Sequence, residues 1–147
     1  MFVCDISKNT ELTDVARLFY GDGFPNISVA ENDGVFAVNV NGKTYEFTYT
    51  DPLFDIIPAE HKLGRLSKIA LYDALVRYTD KSMPWGALTG VRPTKLFYEC
   101  LRAGQSPEQA QQTMQNAYRV SEERAGILPE IKKKKHGKIY YAPEYYN

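Results

Sequence analysis

The sequence predicts an α+β fold, in which a small antiparallel β-meander of three to four strands packs on one long helix and three shorter helices follow. Residues 27–50 alternate apolar and polar side chains between turn residues, and residues 62–78 repeat apolar side chains at helical spacing. Residues 93–131 carry helix start and stop signals. With 147 residues, 44% of them hydrophobic and 24% charged, the chain has the size and composition of an ordinary globular domain.

The first element is predicted to be a short strand over residues 2–6. A helix follows, with Thr10 as its capping residue and Gly21 and Gly23 at its end, because a hydroxyl suits the first position and glycine the last. The apolar residues of this helix fall at spacings of three and four and are expected on one buried face: Leu12, Val15, Leu18 and Phe19.

Three further strands are predicted over residues 27–31, 35–40 and 43–50. Asn41-Gly42 is a strong two-residue hairpin signal, because both positions tolerate positive φ. Alternation places one set of side chains on the core face: Phe36, Val38, Val40, Tyr45, Phe47 and Tyr49. The other set faces water: Thr44, Glu46 and Thr48. An aromatic row of this kind could bind nucleic-acid bases, but one covered face of a sheet explains it more simply.

The longest helix is predicted over residues 62–78. Its apolar residues cover one broad face and its flanks: Leu63, Leu66, Ile69, Ala70, Leu71, Ala74, Leu75, Val76 and Tyr78. The polar residues form a narrow arc: Arg65, Lys68, Asp73 and Arg77. A helix so apolar is expected to pack centrally, on the sheet and on its neighbours.

Three shorter helices are predicted beyond residue 92. The first covers residues 93–103 and ends at Gly104. The second begins with Ser106, Pro107 and Gln109, which combine an N-cap, a proline in the first turn and a capping box. The third begins at residues 121–123, where two acids suit the helix dipole. A helix-turn-helix is an alternative, but the glutamine-rich second helix and the glutamates offer no charge for phosphates.

The charges of the chain balance at 18 basic and 18 acidic residues, but they are unevenly placed. Residues 132–147 contain five lysines and one glutamate, so they carry +4 while residues 1–131 carry −4. We therefore divide the chain into an α+β domain, 1–131, and a basic, tyrosine-rich tail, 132–147, expected to be a mobile end that folding does not need. Lysines among tyrosines could instead grip single-stranded nucleic acid, although an acidic body makes nucleic acid an unexpected partner.

The segment of residues 84–95, called loop 84–95 below, holds the only Trp together with two prolines and two glycines. Such residues fix or free the backbone individually, so the path is specified. Backbone amides near Gly90 at the start of the next helix would suit an anion, with three side chains around them: Arg92, Thr94 and Lys95. The simpler interpretation is that Trp85 fills a core while the glycines let two helices approach closely. Trp85 is then expected to be largely buried.

The same segment carries a resemblance. Pro84-Trp85-Gly86-Ala87-Leu88-Thr89-Gly90-Val91-Arg92-Pro93-Thr94-Lys95 resembles the amino-terminal region of HemZ-type oxygen-independent coproporphyrinogen III dehydrogenases, which are radical-SAM enzymes of haem biosynthesis. The similarity continues through residues 120–125 and, more loosely, back over the β-rich start, so it covers roughly residues 1–131. Its characteristic positions are Pro84, Trp85, Gly86, Gly90, Pro93 and Thr94.

The resemblance implies a chemistry that this chain does not contain by itself. The family converts two propionates of coproporphyrinogen III to vinyl groups, using S-adenosylmethionine and a 4Fe-4S cluster held by three cysteines in a C-x3-C-x2-C loop. This chain has two cysteines, Cys4 and Cys100, which are expected to be buried apolar residues. His61 and His136 have no evident catalytic partners. The resemblance therefore implies an accessory domain beside a radical-SAM catalytic domain, without a catalytic residue or a metal site of its own.

Two hypotheses follow for function. In the first, the chain is the accessory amino-terminal piece of a coproporphyrinogen enzyme, and Arg92 and Lys95 contact substrate propionates, because arginine grips carboxylates with two donors. An equally weighted structural interpretation pairs these cations with Glu99 or Asp73. In the second, the chain is an independent module that binds an anion, a nucleic acid or a protein through loop 84–95 and the tail. No apolar run suits a membrane span and no signal peptide is evident, so a cytoplasmic location is expected.

Overall fold

The computed structural model describes residues 2–90 and 92–137, with side chains as far as Pro129. The chain forms two compact units, unit 1 up to Ser82 and unit 2 from Met83. The described residues contain a four-stranded antiparallel sheet and five α-helices, so the predicted α+β class is confirmed. The predicted division into a domain of residues 1–131 and a tail stays a prediction.

The sheet of unit 1 is an antiparallel meander in the order β1-β2-β3-β4. The strands are β1 (Phe2–Asp5), β2 (Ile27–Asn32), β3 (Val35–Val40) and β4 (Lys43–Thr48). Between β3 and β4, Asn41 and Gly42 both have positive φ, 53° and 94°, as the hairpin signal predicts. The last strand ends two residues before the predicted Thr50.

The sides of the sheet follow the predicted alternation. Phe36 lies opposite Phe47 and Val38 lies opposite Tyr45, so the apolar side chains of both strands share one face. On that face the side chains of β3 are buried and the aromatic side chains of β4 are half-buried. Thr44, Glu46 and Thr48 point to the other face and are exposed, as expected.

Two helices pack in unit 1, α1 (Thr10–Tyr20) and α2 (Ala59–Thr79). The longer helix α2 packs on β2 and β3, and α1 packs on α2. The predicted cap of α1 was wrong by one residue. Asn9, rather than Thr10, is the N-cap, and its side-chain oxygen accepts a hydrogen bond from the Leu12 N–H at 3.1 Å. Asparagine is among the residues most favoured at the N-cap position of a helix.

The predicted buried faces of these helices need correction at their ends and at one lysine. Leu18 of α1 is exposed, and so are Leu63 and Tyr78, which lie near the two ends of α2. In the middle of α2, by contrast, seven consecutive residues from Leu66 to Tyr72 are buried. That run includes Lys68, which the sequence places on the polar arc and which is only 6% exposed. A helix enclosed on several sides has no polar arc at its centre.

Unit 2 contains α3 (Pro93–Arg102), α4 (Pro107–Asn116) and α5 (Glu122–Gly137), which pack on one another. The start of α4 is confirmed in detail. Ser106 accepts from the Gln109 N–H at 3.1 Å, and the Gln109 side chain accepts from the Ser106 N–H at 2.9 Å. Two such bonds satisfy backbone donors that a helix start otherwise leaves open.

The last helix α5 is longer than predicted. It begins where expected, and the Ser121 hydroxyl accepts from the Arg124 N–H at 3.2 Å. It then continues past Pro129 to Gly137, into the predicted tail. Lysine is a good helix former, so a basic sequence is no reason for a helix to stop. The remaining part of the predicted tail, with Tyr140, Tyr141, Tyr145 and Tyr146, lies outside the described residues.

Candidate functional site

Loop 84–95 lies against the turn between α4 and α5, about thirty residues further along the chain. Two backbone hydrogen bonds join the segments: the Ala87 N–H donates to the Tyr118 carbonyl at 3.0 Å, and the Ser121 N–H donates to the Pro84 carbonyl at 2.9 Å. Two turns shape the loop itself, closed by the Gly86 N–H to Met83 carbonyl and the Leu88 N–H to Trp85 carbonyl bonds. The beginning of the loop is therefore fixed by main-chain contacts.

Gly86 is the residue that permits this approach. It is buried at φ 59°, in the left-handed region that favours glycine. A Cβ atom on it would lie 2.3 Å from the carbonyl carbon and oxygen of Arg119 and 2.5 Å from the carbonyl oxygen of Tyr118. No side chain fits against backbone at such distances. Arg119 also has positive φ, 65°, where the chain leaves α4.

Trp85 is half-buried, with most of its surface covered, in line with the expectation that it is largely buried. The guanidinium carbon of Arg124 lies 5.9 Å from the centroid of the indole ring, within the range of a cation–π interaction. Arg124 belongs to the second stretch of the resemblance but carries no predicted role. A periodic pattern gives no sign of this contact, because it joins a loop to the first turn of a helix that follows much later.

The residues predicted to bind an anion differ in their exposure to solvent. Gly90 is exposed at φ 69°, and Pro93 occupies the first turn of α3 as predicted. Arg92 is the N-cap residue of α3 and is half-buried, whereas Lys95 is exposed. Thr94 is buried, so its hydroxyl is not presented to solvent. The alternative that pairs Arg92 and Lys95 with Glu99 or Asp73 stays a prediction.

The two cysteines are the only thiols that could serve as cluster ligands in this chain. Cys100 is buried in α3, as expected, but Cys4 in β1 is half-buried rather than buried. One belongs to each unit, and two thiolates are fewer than the three that an iron–sulfur loop of the expected kind requires. Within the described part of the chain, no three His, Cys, Asp or Glu side chains are grouped to hold a metal ion. The donor set of this chain does not fit a 4Fe-4S cluster.

The site is therefore a glycine-dependent junction of two segments, with a half-buried tryptophan, an arginine over its ring and two cations at the start of α3. In sequence, the chain is similar to an oxygen-independent coproporphyrinogen-III oxidase-like protein. That relative is HemZ of Bacillus subtilis (strain 168), with 39% identity over 57 residues. The matched residues make up 39% of this chain but only 11% of HemZ. No protein-family model matches the chain, and neither does any solved structure.

Within the described residues, no helix is both long enough and apolar enough to cross a membrane.

Proposed function

We propose that this chain is the amino-terminal accessory region of a HemZ-type coproporphyrinogen III oxidase or dehydrogenase, acting in haem biosynthesis in the cytoplasm. The similarity to HemZ supports this relation. In this role the chain packs beside a radical-SAM catalytic domain, which supplies the 4Fe-4S cluster and S-adenosylmethionine. The chain itself does not supply the three cysteines of a cluster loop, since it has only two.

The observation that carries the proposal is the junction between residues 84–87 and 118–121. The two stretches that resemble the family, loop 84–95 and residues 120–125, lie far apart in sequence yet bond to each other through the Ser121 N–H and the Pro84 carbonyl. The Arg124–Trp85 contact joins the same two stretches. Because the two stretches bond to each other, we treat their resemblance to the family as one structural feature rather than as two separate similarities.

The chemical role of the junction is to hold a cationic helix start in place. Arg92 and Lys95 lie on either side of Pro93, in the first turn of α3, where the helix dipole also favours negative charge. Coproporphyrinogen III carries four propionates, and these are the groups that such cations would contact. The contribution that we assign to the chain is substrate positioning or docking of the catalytic domain.

The test is an anaerobic complementation assay. A HemZ-type catalytic region that lacks its own amino-terminal part is combined with this chain, S-adenosylmethionine and coproporphyrinogen III, and formation of protoporphyrinogen IX is measured. We expect the chain to raise the rate, and the double variant Arg92→Ala/Lys95→Ala to raise the KM for coproporphyrinogen. Arg102→Ala is the matched control, because it removes an exposed cation from the other end of the same helix.

Two other results of this assay would contradict the proposal in whole or in part. If the chain neither binds the catalytic region nor changes its rate, the accessory role is wrong. If it raises the rate but the double variant behaves like Arg102→Ala, the accessory role stands and the propionate contact of Arg92 and Lys95 is wrong.

A further inference from the structure

Strand β4 (Lys43–Thr48) lies at the edge of the sheet. It pairs with β3 on one side, and among the described residues no strand pairs with it on the other. Its register with β3 is unbroken over all six residues, and it contains no proline. Bulges and prolines are two common means by which proteins prevent edge strands from pairing further. This edge has neither.

The hairpin turn determines which backbone groups point outward from β4. Asn41 and Gly42 form a two-residue turn with positive φ at both positions, and Val40 lies opposite Lys43 at its base. Such a turn closes on a hydrogen-bonded pair. Because bonding alternates along an antiparallel ladder, Thr44, Glu46 and Thr48 direct their N–H and C=O groups to the open edge.

The helix-covered face next to this edge carries a row of aromatic rings. Tyr45, Phe47 and Tyr49 are all half-buried, and the last two rings are stacked with centroids 6.3 Å apart. Arg77 already lies over Phe47, with its guanidinium carbon 4.9 Å from the ring centroid. A strand added at the open edge would place side chains beside these rings and reduce their exposure to water.

We propose that β4 pairs with β4 of a second copy of this chain, antiparallel and with the two-fold axis at Glu46. In this register Tyr45 faces Phe47, Thr44 faces Thr48 and Lys43 faces Tyr49, and each pair occurs twice. Aromatic pairs and threonine pairs are favourable cross-strand neighbours. The three outward-pointing residues of each copy form the backbone bonds, and the two sheets become one sheet of eight strands.

The neighbouring register with its axis at Tyr45 would bring cations together at one ring. With the axis at Tyr45, Lys43 of one copy would face Phe47 of the other, where Arg77 already occupies the ring, so two cations would meet on one aromatic side chain. With the axis at Glu46, Lys43 faces Tyr49 instead, and the two Glu46 side chains face each other on the exposed face.

Sedimentation equilibrium of the full chain, from roughly micromolar to millimolar concentration, tests the pairing. We expect a reversible monomer–dimer equilibrium. Thr48→Pro removes an outward N–H at the end of β4, so it should abolish the dimer while circular dichroism shows an unchanged fold. A chain that is monomeric throughout, or a dimer that persists in a folded Thr48→Pro variant, overturns the proposal.

Glu46 tests the register. Glu46→Gln should tighten the dimer by up to about fivefold, since it removes a like-charge pair. A mixture of the Glu46→Lys variant and the unchanged chain should form mainly mixed dimers, because opposite charges then face each other. Glu60→Lys, which changes an exposed charge in α2, is the control and should mix at random. Random mixing of the Glu46→Lys variant would show that the axis does not lie at Glu46.

Discussion

Unit 1 and unit 2 are each stabilised internally, but by different kinds of contact. In unit 1, alternating side chains on β3 and β4 and a hairpin turn specify the sheet, and many side chains share the burial. In unit 2, loop 84–95 is fixed by two backbone hydrogen bonds and by the absence of a side chain at Gly86. A structure built from repeated contacts tolerates the loss of one, whereas a close approach of two backbones depends on a single residue.

The largest effect is expected at Gly86. Gly86→Ala places a methyl group against the Arg119 and Tyr118 carbonyls at a positive φ, so the two segments must separate. We expect it to lower the free energy of unfolding by about 3 kcal/mol or more, since a steric clash adds to the left-handed strain. Urea unfolding followed by Trp85 fluorescence measures this change.

Gly90→Ala is the matched control, because Gly90 has a similar φ but no atom within 4 Å of the added methyl group. Only the backbone cost of about 1 kcal/mol is expected there. If Gly86→Ala and Gly90→Ala lose equal stability, a steric clash is not the cause of the loss at Gly86. If amides of β2 and β3 lose exchange protection as much as those of α4 in Gly86→Ala, the contrast between the units fails.

Trp85 comes next in expected size. Its side chain is half-buried, so Trp85→Ala should cost about 2–3 kcal/mol, at or below the low end of the range of about 3–5 kcal/mol for fully buried aromatic residues. Arg124→Ala should cost about 0.5–1 kcal/mol through loss of the cation–π contact. Thermal or urea unfolding of each variant checks these values, with Arg102→Ala expected near zero. An Arg124→Ala variant no less stable than Arg102→Ala would contradict the contact.

The hairpin turn of unit 1 offers a comparable backbone test with a smaller effect. Asn41 has φ 53°, so Asn41→Ala should lower the free energy of unfolding by about 1 kcal/mol, whereas Asn41→Gly should be close to neutral. Amide exchange of β3 and β4 measures both. Equal losses in the two variants would mean that the Asn41 side chain, rather than its φ, stabilises the turn.

The smallest expected effect is a change in pH dependence at Lys68. Burial lowers the pKa of the Lys68 ammonium below its ordinary value of 10.5, against an opposing influence of Glu11. The unfolded chain therefore binds more protons than the folded one between the lowered pKa and 10.5, and stability rises with pH across that interval. Lys68→Met should flatten this rise and leave stability at neutral pH equal or higher by about 1 kcal/mol. If the stability of the Lys68→Met variant still rises with pH in the same interval, another titratable group causes the rise.

The parts that sequence predicts well are those in which each residue's neighbours are close in sequence. Alternation sets the faces of β3 and β4, and Ser106 and Gln109 mark the start of α4, because these contacts span a few residues. Lys68 was misplaced because helical periodicity describes one face, while α2 is enclosed on more than one. The loop glycines were expected to permit a close approach, but the partner of Gly86 and the Arg124–Trp85 contact were not predicted, since both join segments over thirty residues apart.

The bond between the Ser121 N–H and the Pro84 carbonyl also sets an order of events during protein synthesis. The strands and helices of unit 1 are complete once Ser82 has been added, whereas unit 2 cannot close until Ser121 has followed. At roughly 5–20 residues per second, the intervening stretch takes on the order of 2–8 seconds to translate. For most of that interval loop 84–95 has been made, but the Tyr118 and Ser121 backbone groups that it bonds have not.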